Sequence, residues 1–296
     1  MKNFIAIEVG STNVKIARYD GQIIELPDVP IAFKANYKAL GRIDDNDLKQ
    51  LYDLIATVKG KSENVFVYGT SIFRELNDGD RAKFLSEFKA RTGVDFNIVS
   101  PEQECEYTVK GAVMGDDFTG RVAVMIGGGG STEVAIVENK KIIEKHLNKY
   151  GVQNVREAFP RLNDLHPNLT MEEVIEFCLS RTEDIEHKSE ILILAGGDYI
   201  RYYDAAGREF LEKNDLYDDP AHPYKITVQN DSILGRRYVM DDDLNDYIAR
   251  YPEYAAWWNG TREMRFCVAA VAKKSGAKII IPTRVNMLKG IIEGLL

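Results

Sequence analysis

Three short stretches of this sequence hold residue types that could do chemistry together. The first is Gly127-Gly-Gly-Gly-Ser-Thr-Glu133, directly after an apolar run. Four glycines leave no side chains to block approach to backbone N–H groups, and such turns form concave nests for phosphate oxygens. Gly128, Gly129 and Gly130 would offer amides, Ser131 and Thr132 hydroxyls, and Glu133 a carboxylate for a metal ion or its waters. The second stretch, Gly10-Ser11-Thr12-Asn13, would be an ordinary hairpin if it stood alone. Glu8, just before it, is an acid in an apolar run and is costly to bury unless a metal ion, a metal-bound water or a base such as Lys15 or Arg74 faces it.

The third stretch is Ser100-Pro101-Glu102-Gln103-Glu104, a helix start with Ser100 as N-cap, Pro101 at the first helical position and Gln103 completing a capping box. Cys105, Val109, Ala112 and Val113 form the apolar face, while Glu104, Thr108 and Gly111 share a neighbouring flank. The small groups beside Glu104 suggest room for a ligand and an attacking water, so Glu104 is the candidate general base. Thr70 and Ser71 open a further helix after a buried-type strand, where an anion is welcome. Arg74 lies one turn on and would hold a phosphate or pair with Glu104, with a surface ion pair to Glu75 or Asp78 as the plainer alternative. Gly196-Gly197-Asp198 is the corresponding turn later in the chain, where Gly196 and Gly197 would contact a bound phosphate, with Asp198 suited to cap the following helix as the plainer alternative.

Placing these turns requires strands, and the sequence repeats the same arrangement twice. The segment from Phe4 to Gly21 can be laid over that from Arg121 to Asn139: a strand, a Gly-Ser-Thr turn, a second strand and a polar turn, with about two extra glycines in the second copy. Each copy continues through a third extended stretch and helical segments to a buried-type strand, Asn64 to Gly69 or Glu190 to Gly196. Helical periodicity lies between, at Leu48, Leu51, Tyr52 and Ile55 and at Val174, Phe177 and Cys178. The expectation is a duplicated α/β unit: lobes at residues 1–117 and 118–296, divided near Asp117, with paired glycine turns facing a phosphate-binding cleft.

Bulk properties narrow the classes. The chain has 296 residues, 45% of them apolar, and a net charge of −8, so it can bury two cores but has no basic surplus for nucleic acid. The acidic Glu8 interrupts the start too early for a signal-peptide core, and no stretch reaches the roughly 18 apolar residues of a membrane helix, so a cytoplasmic protein is expected. Cys105, Cys178 and Cys267 read as reduced core cysteines, and the four histidines show no paired metal-ligand spacing. Tyr251, Tyr254, Trp257 and Trp258, ahead of Arg262 and Arg265, would suit a homodimer contact or a core face, and the core face is preferred.

Taken in order, the blocks Ile5–Lys15, Thr70–Asn77, Ile98–Gly111, Ile126–Val137, Tyr150–Arg156, Gly196-Gly197 and Ile279–Gly290 resemble the exopolyphosphatase and guanosine pentaphosphate phosphohydrolase (Ppx/GppA) family. The resemblance runs nearly end to end. It implies a duplicated ribonuclease H-like fold of the actin-like ATPase superfamily. It also implies release of a terminal phosphate from polyphosphate or guanosine pentaphosphate with Mg²⁺ or Mn²⁺. In that picture Glu104 activates water, Arg74 is the arginine of the second block, and Gly128, Ser131 and Glu133 belong to the second phosphate loop. Glu8 would be a metal ligand with Glu133. The family usually has aspartate at the positions of Glu8 and Ile126; glutamate keeps the charge and isoleucine does not. Two further readings follow: a polyphosphate-, nucleotide- or alarmone-binding regulator, which Ile126 favours, and a kinase of the same superfamily.

Overall fold

The computed structural model describes residues 3–11, 13–60, 64–70, 72–113, 120–216 and 220–296. Thr12, Ser71 and the expected boundary at Asp117 lie outside these residues. The chain divides into two compact units, residues 1–111 with 287–296, and residues 112–286.

The first unit contains β1 (Phe4–Val9), β2 (Asn13–Tyr19), β3 (Ile23–Pro30), β4 (Val65–Gly69) and β5 (Phe96–Ile98). They form one sheet in the order β3-β2-β1-β4-β5, antiparallel across β1, β2 and β3 and parallel across β1, β4 and β5. Strand β1 is buried at every position, and its alternation divides two cores. Ile5, Ile7 and Val9 pack with Leu51, Ile55, Phe84 and Phe88, from helices Asp45–Lys59 and Asp78–Thr92. Phe4 and Ala6 pack on the other face with Met287, Leu288, Ile291 and Ile292 of the closing helix Met287–Leu295.

That packing corrects the expected division. The closing helix was expected in the second lobe, but its apolar face is buried on β1 and β2, so it belongs to the first unit.

The second unit repeats the plan with β6 (Arg121–Gly127), β7 (Thr132–Glu138), β8 (Lys141–Asn148), β9 (Ile191–Ala195), β10 (Glu212–Lys213), β11 (Tyr224–Thr227) and β12 (Ile279–Pro282). Its sheet order, β10-β11-β12-β9-β6-β7-β8, contains the first unit's order and strand senses, with β11 and β10 added antiparallel beside β12. The duplicated α/β fold is therefore present. The glycine count is corrected. Val9 pairs with Val14 and Gly127 with Thr132, so both turns have four residues, and Gly10 and Gly128 each donate to the carbonyl at the turn's end, Asn13 or Ser131. The additional glycines of the second copy, Gly127, Gly129 and Gly130, stand where the first copy has Val9, Ser11 and Thr12, and they insert nothing. In this register Glu8 corresponds to Ile126 and Lys15 to Glu133.

Trp258 and Arg262 are fully buried in the second unit, as the core-face reading expects. Trp258 packs against Tyr247 and Trp257, each with ring centroids 5.0 Å away, and Arg262 donates to the carbonyls of Leu162, Asp164 and Asp242. All three cysteines are free and buried.

Edge strand β8 is tied to the loop entering β9 by an acid held between two imidazoles. Glu144 accepts from the amides of Glu186 and His187, both at 2.8 Å, and pairs with His146 at 2.7 Å and His187 at 2.9 Å. His146 is also paired with Glu183 at 2.7 Å. Burial would raise the Glu144 pKa, but these amides and imidazoles bring it down to about 2. Burial would lower that of His146, but Glu183 and Glu144 raise it above the ordinary histidine value. The His146 contribution is therefore fully present below about pH 6.5 and lost as pH rises through its higher folded value. That of Glu144 is present above about pH 4.5 and lost as pH falls toward 2. We expect the melting temperature to decline above pH 6.5 and His146→Gln to flatten that limb, measured by calorimetry across pH 5 to 9. An unchanged limb would remove His146 as its source.

Candidate active site

In the first unit the chemistry is carried by strand register and by two short helical starts. Glu8 on β1 and Lys15 on β2 are directly paired across the ladder, and Lys15 Nζ lies 3.1 Å from Glu8 Oε1. Opposite Lys15 the β2–β3 register shifts, with Val14 facing Val29 and Ile16 facing Leu26, so that Pro27 and Asp28 share the position. A bulge of this kind tolerates a proline that cannot donate to the ladder. Burial alone would lower the Lys15 pKa; Glu8, Asp28 and Glu104 more than offset that, and Lys15 stays charged. Thus Lys15 lies within electrostatic reach of three carboxylates, one on each neighbouring strand and one on the Pro101–Ala112 helix.

The start of that helix is built as its sequence predicts. Gln103 Oε1 accepts the Ser100 amide at 2.9 Å and Ser100 Oγ accepts the Gln103 amide at 3.2 Å. Glu104, one residue on and about one-third exposed, takes Arg74 Nη1 on Oε2 at 2.7 Å. The same Arg74 nitrogen donates to the Val99 carbonyl at 3.1 Å. Of the pairings open to Arg74, the one with Glu104 is observed. Arg74 is placed by Phe73, which is fully buried between Phe33, Phe84 and Phe96. Phe96 in turn needs Gly69, where a Cβ would lie 2.1 Å from its ring.

Two expectations beside Glu104 are corrected. Thr108 leaves no open room for a ligand, because it is buried and its hydroxyl donates to the Glu104 carbonyl at 2.8 Å. The room at Gly111 is taken by the closing helix, which crosses so closely that a Cβ on Gly290 would sit 1.7 Å from the Tyr107 carbonyl oxygen and 3.0 Å from the Gly111 amide.

In the second unit the glycine turn is braced from below. Gly128 and Gly129 carbonyls accept the amides of Val152 and Gln153 at 3.1 and 2.7 Å, so the first amides of the Val152–Ala158 helix are spent on the turn. Gly151 makes this approach possible, since a Cβ there would lie 2.4 Å from the Gly128 oxygen. Thr132 is corrected as a phosphate ligand: its hydroxyl is fully buried and donates to the Tyr150 carbonyl at 2.9 Å. Ile126 is buried against Gly196, whose φ of +84° and missing Cβ accommodate it. Asp198 caps the helix after Gly197, accepting from the Arg201 amide at 3.1 Å, and also holds Arg284.

Gly129 and Gly130 differ from these neighbours. Both are exposed, a Cβ on either would meet open space, and neither has positive φ. Packing does not require glycine there, whereas a bare backbone nest for phosphate does. Alanine at 129 or 130 should therefore change stability by less than about 0.5 kcal/mol yet weaken polyphosphate binding, read as a smaller ligand-induced thermal shift. An undiminished shift would sink the nest. Gly10, Ser11 and Asn13 form the matching turn in the first unit, where the Ser11 carbonyl accepts the Lys34 amide at 2.9 Å.

In the first unit, Glu8 offers an atom suited to a cation. Glu8 is only 8% exposed, and its Oε2 is buried with no hydrogen-bond partner. Among the described residues no cluster of three or more histidine, cysteine, aspartate or glutamate side chains is arranged as a metal site. A magnesium-like ion often takes one or two carboxylates and completes its shell with water and substrate phosphates, and Glu8 Oε2 is an atom of the first unit whose chemistry would suit one.

The sequence model of the Ppx/GppA phosphatase family matches residues 35–187, which span Arg74, Glu104 and the glycine turn. Among curated proteins none matches the chain. Among solved structures, the Aquifex aeolicus PPX-GPPA enzyme is similar at a TM-score of 0.78, with 18% identity and 99% of each chain covered. The type II variant of the Aquifex aeolicus Ppx/GppA phosphatase has a TM-score of 0.77, 17% identity and 99% of each chain covered. An exopolyphosphatase from Cytophaga hutchinsonii has a TM-score of 0.74 at 13% identity, covering 99% of this chain and 97% of that one. At these identities the likeness shows a shared fold, and the family match spans more than half of the sequence. This chain belongs to the Ppx/GppA phosphatase family.

Proposed function

We propose that the protein hydrolyses the terminal phosphoanhydride of polyphosphate or of a guanosine polyphosphate such as guanosine pentaphosphate. The observation that carries this reading is Glu104, partly exposed on a capped first turn with one oxygen fixed by Arg74 at 2.7 Å. Oε1 is left to take a proton from water. The water oxygen bonds to the terminal phosphorus, the phosphoanhydride P–O bond breaks, and the shortened chain leaves with the electron pair. Bare amides at Gly129 and Gly130, with the Ser131 hydroxyl, bind phosphate oxygens, and Lys15 and Arg74 contribute positive charge. A bound Mg²⁺ or Mn²⁺ would neutralise charge on the leaving phosphates. Glu8 is the carboxylate that fits it in the first unit, and Glu133 is its expected counterpart in the second.

Ile126 supports a second reading. It occupies the position matching Glu8 and packs on Gly196, so this strand offers a cation no carboxylate there. A protein weakened in this way would bind polyphosphate or alarmone without turnover. The deciding experiment measures inorganic phosphate released from short and long polyphosphate and from guanosine pentaphosphate, with Mg²⁺ or Mn²⁺. Release supports the hydrolase. No release, together with ligand-dependent stabilisation of RT ln(1 + [L]/Kd), establishes the binding protein instead.

A further inference from the structure

Arg74 is carried by the helix Ile72–Glu75, a single turn, and an isolated turn has little stability of its own. Phe73 anchors its front in the aromatic cluster, but the carbonyls at its end need donors from elsewhere. Arg81 provides them: its Nη2 donates to the Arg74 carbonyl at 3.0 Å and to the Leu76 carbonyl at 2.9 Å. Arg81 belongs to the next helix, Asp78–Thr92, whose start is fixed by Asn77 Oδ1 accepting the Asp80 amide at 2.9 Å. Its ion pair with Asp78 is 3.6 Å long with the carboxylate fully exposed, and adds little.

We propose that Arg81 is a positioning residue for the reaction: by clamping the backbone at 74 and 76 it sets where the Arg74 guanidinium meets Glu104. This rests on Glu104 acting as the base. Arg81 touches neither Glu104 nor the phosphate turns through any of these bonds, so its effect passes through Arg74. Losing the clamp lets the one-turn helix shift, and a misplacement of about 1 Å can cost on the order of 10²-fold in rate.

The test compares kcat and KM for phosphate release in the unmodified protein, Arg81→Met, Arg81→Lys, Arg74→Met and the Arg74→Met/Arg81→Met double variant, with Glu104→Gln as reference. The expected result is a drop in kcat of roughly 10- to 100-fold for Arg81→Met, little change in KM, and partial recovery in Arg81→Lys. The double variant should be no slower than Arg74→Met alone, because the clamp has nothing left to position. A further multiplicative loss in the double variant would assign Arg81 a general structural role and overturn the inference. So would release that needs Glu104 but is unchanged in Arg81→Met. Release that survives Glu104→Gln would overturn the reading of the base itself, and the positioning role with it.

Discussion

Glu104→Gln is expected to lower phosphate release by about 10²- to 10⁴-fold, the usual contribution of a positioned general base, while the protein melts within a few degrees of the original. The two effects separate because they arise from different properties of the same side chain. Glutamine has nearly the same shape and still presents an oxygen to Arg74 Nη1, so the contact with the Ile72–Glu75 turn can persist. It cannot take a proton from water at neutral pH. The ion pair itself is partly exposed, 27% at Arg74 and 34% at Glu104, and such pairs contribute roughly 0–1 kcal/mol. Phosphate release by colorimetric assay and a melting curve on the same preparation suffice. Full activity in a folded Glu104→Gln protein would remove Glu104 from the mechanism.

What was legible in the sequence is what short-range chemistry dictates. The Ser100/Gln103 capping box closes within four residues, and both of its bonds form. The glycine turn and the strands beside it are set by local composition and alternation, and the duplicated order emerges from their repetition. The pairing of Lys15 with Glu8 follows from a four-residue turn once the register is known.

The residues that were misassigned are those consumed by distant partners. Thr132 looks like a phosphate ligand by position, but its hydroxyl is committed to the Tyr150 carbonyl, eighteen residues on. Gly111 looks like space for a ligand, but the space is filled by a helix that begins at Met287. Arg81 left no signal because side-chain donors to backbone carbonyls obey no spacing rule. His146 and His187 are likewise joined only through Glu144.

Gly290→Ala tests the most consequential of these distant contacts. A methyl at 290 would lie 1.7 Å from the Tyr107 carbonyl oxygen, 2.6 Å from its carbon and 3.0 Å from the Gly111 amide, all backbone atoms with no rotamer to escape into. The closing helix or the Pro101–Ala112 helix must therefore move. Overpacking of this kind costs about 1–3 kcal/mol and sometimes more, which exceeds the roughly 1 kcal/mol that alanine gains over glycine in a helix. Gly294→Ala is the control, since its nearest neighbour, Lys110 Nζ, is 3.7 Å away and the helix gain is unopposed. The expected result is a lower denaturation midpoint for Gly290→Ala and an equal or higher one for Gly294→Ala. Activity should fall in the first variant as well, because Tyr107 lies one turn from Glu104 on the same helix and a displaced backbone carries the carboxylate with it. Equal midpoints for the two variants would show that the helices do not meet at Gly290. The closing helix would then have to be anchored by Met287, Leu288, Ile291 and Ile292 alone.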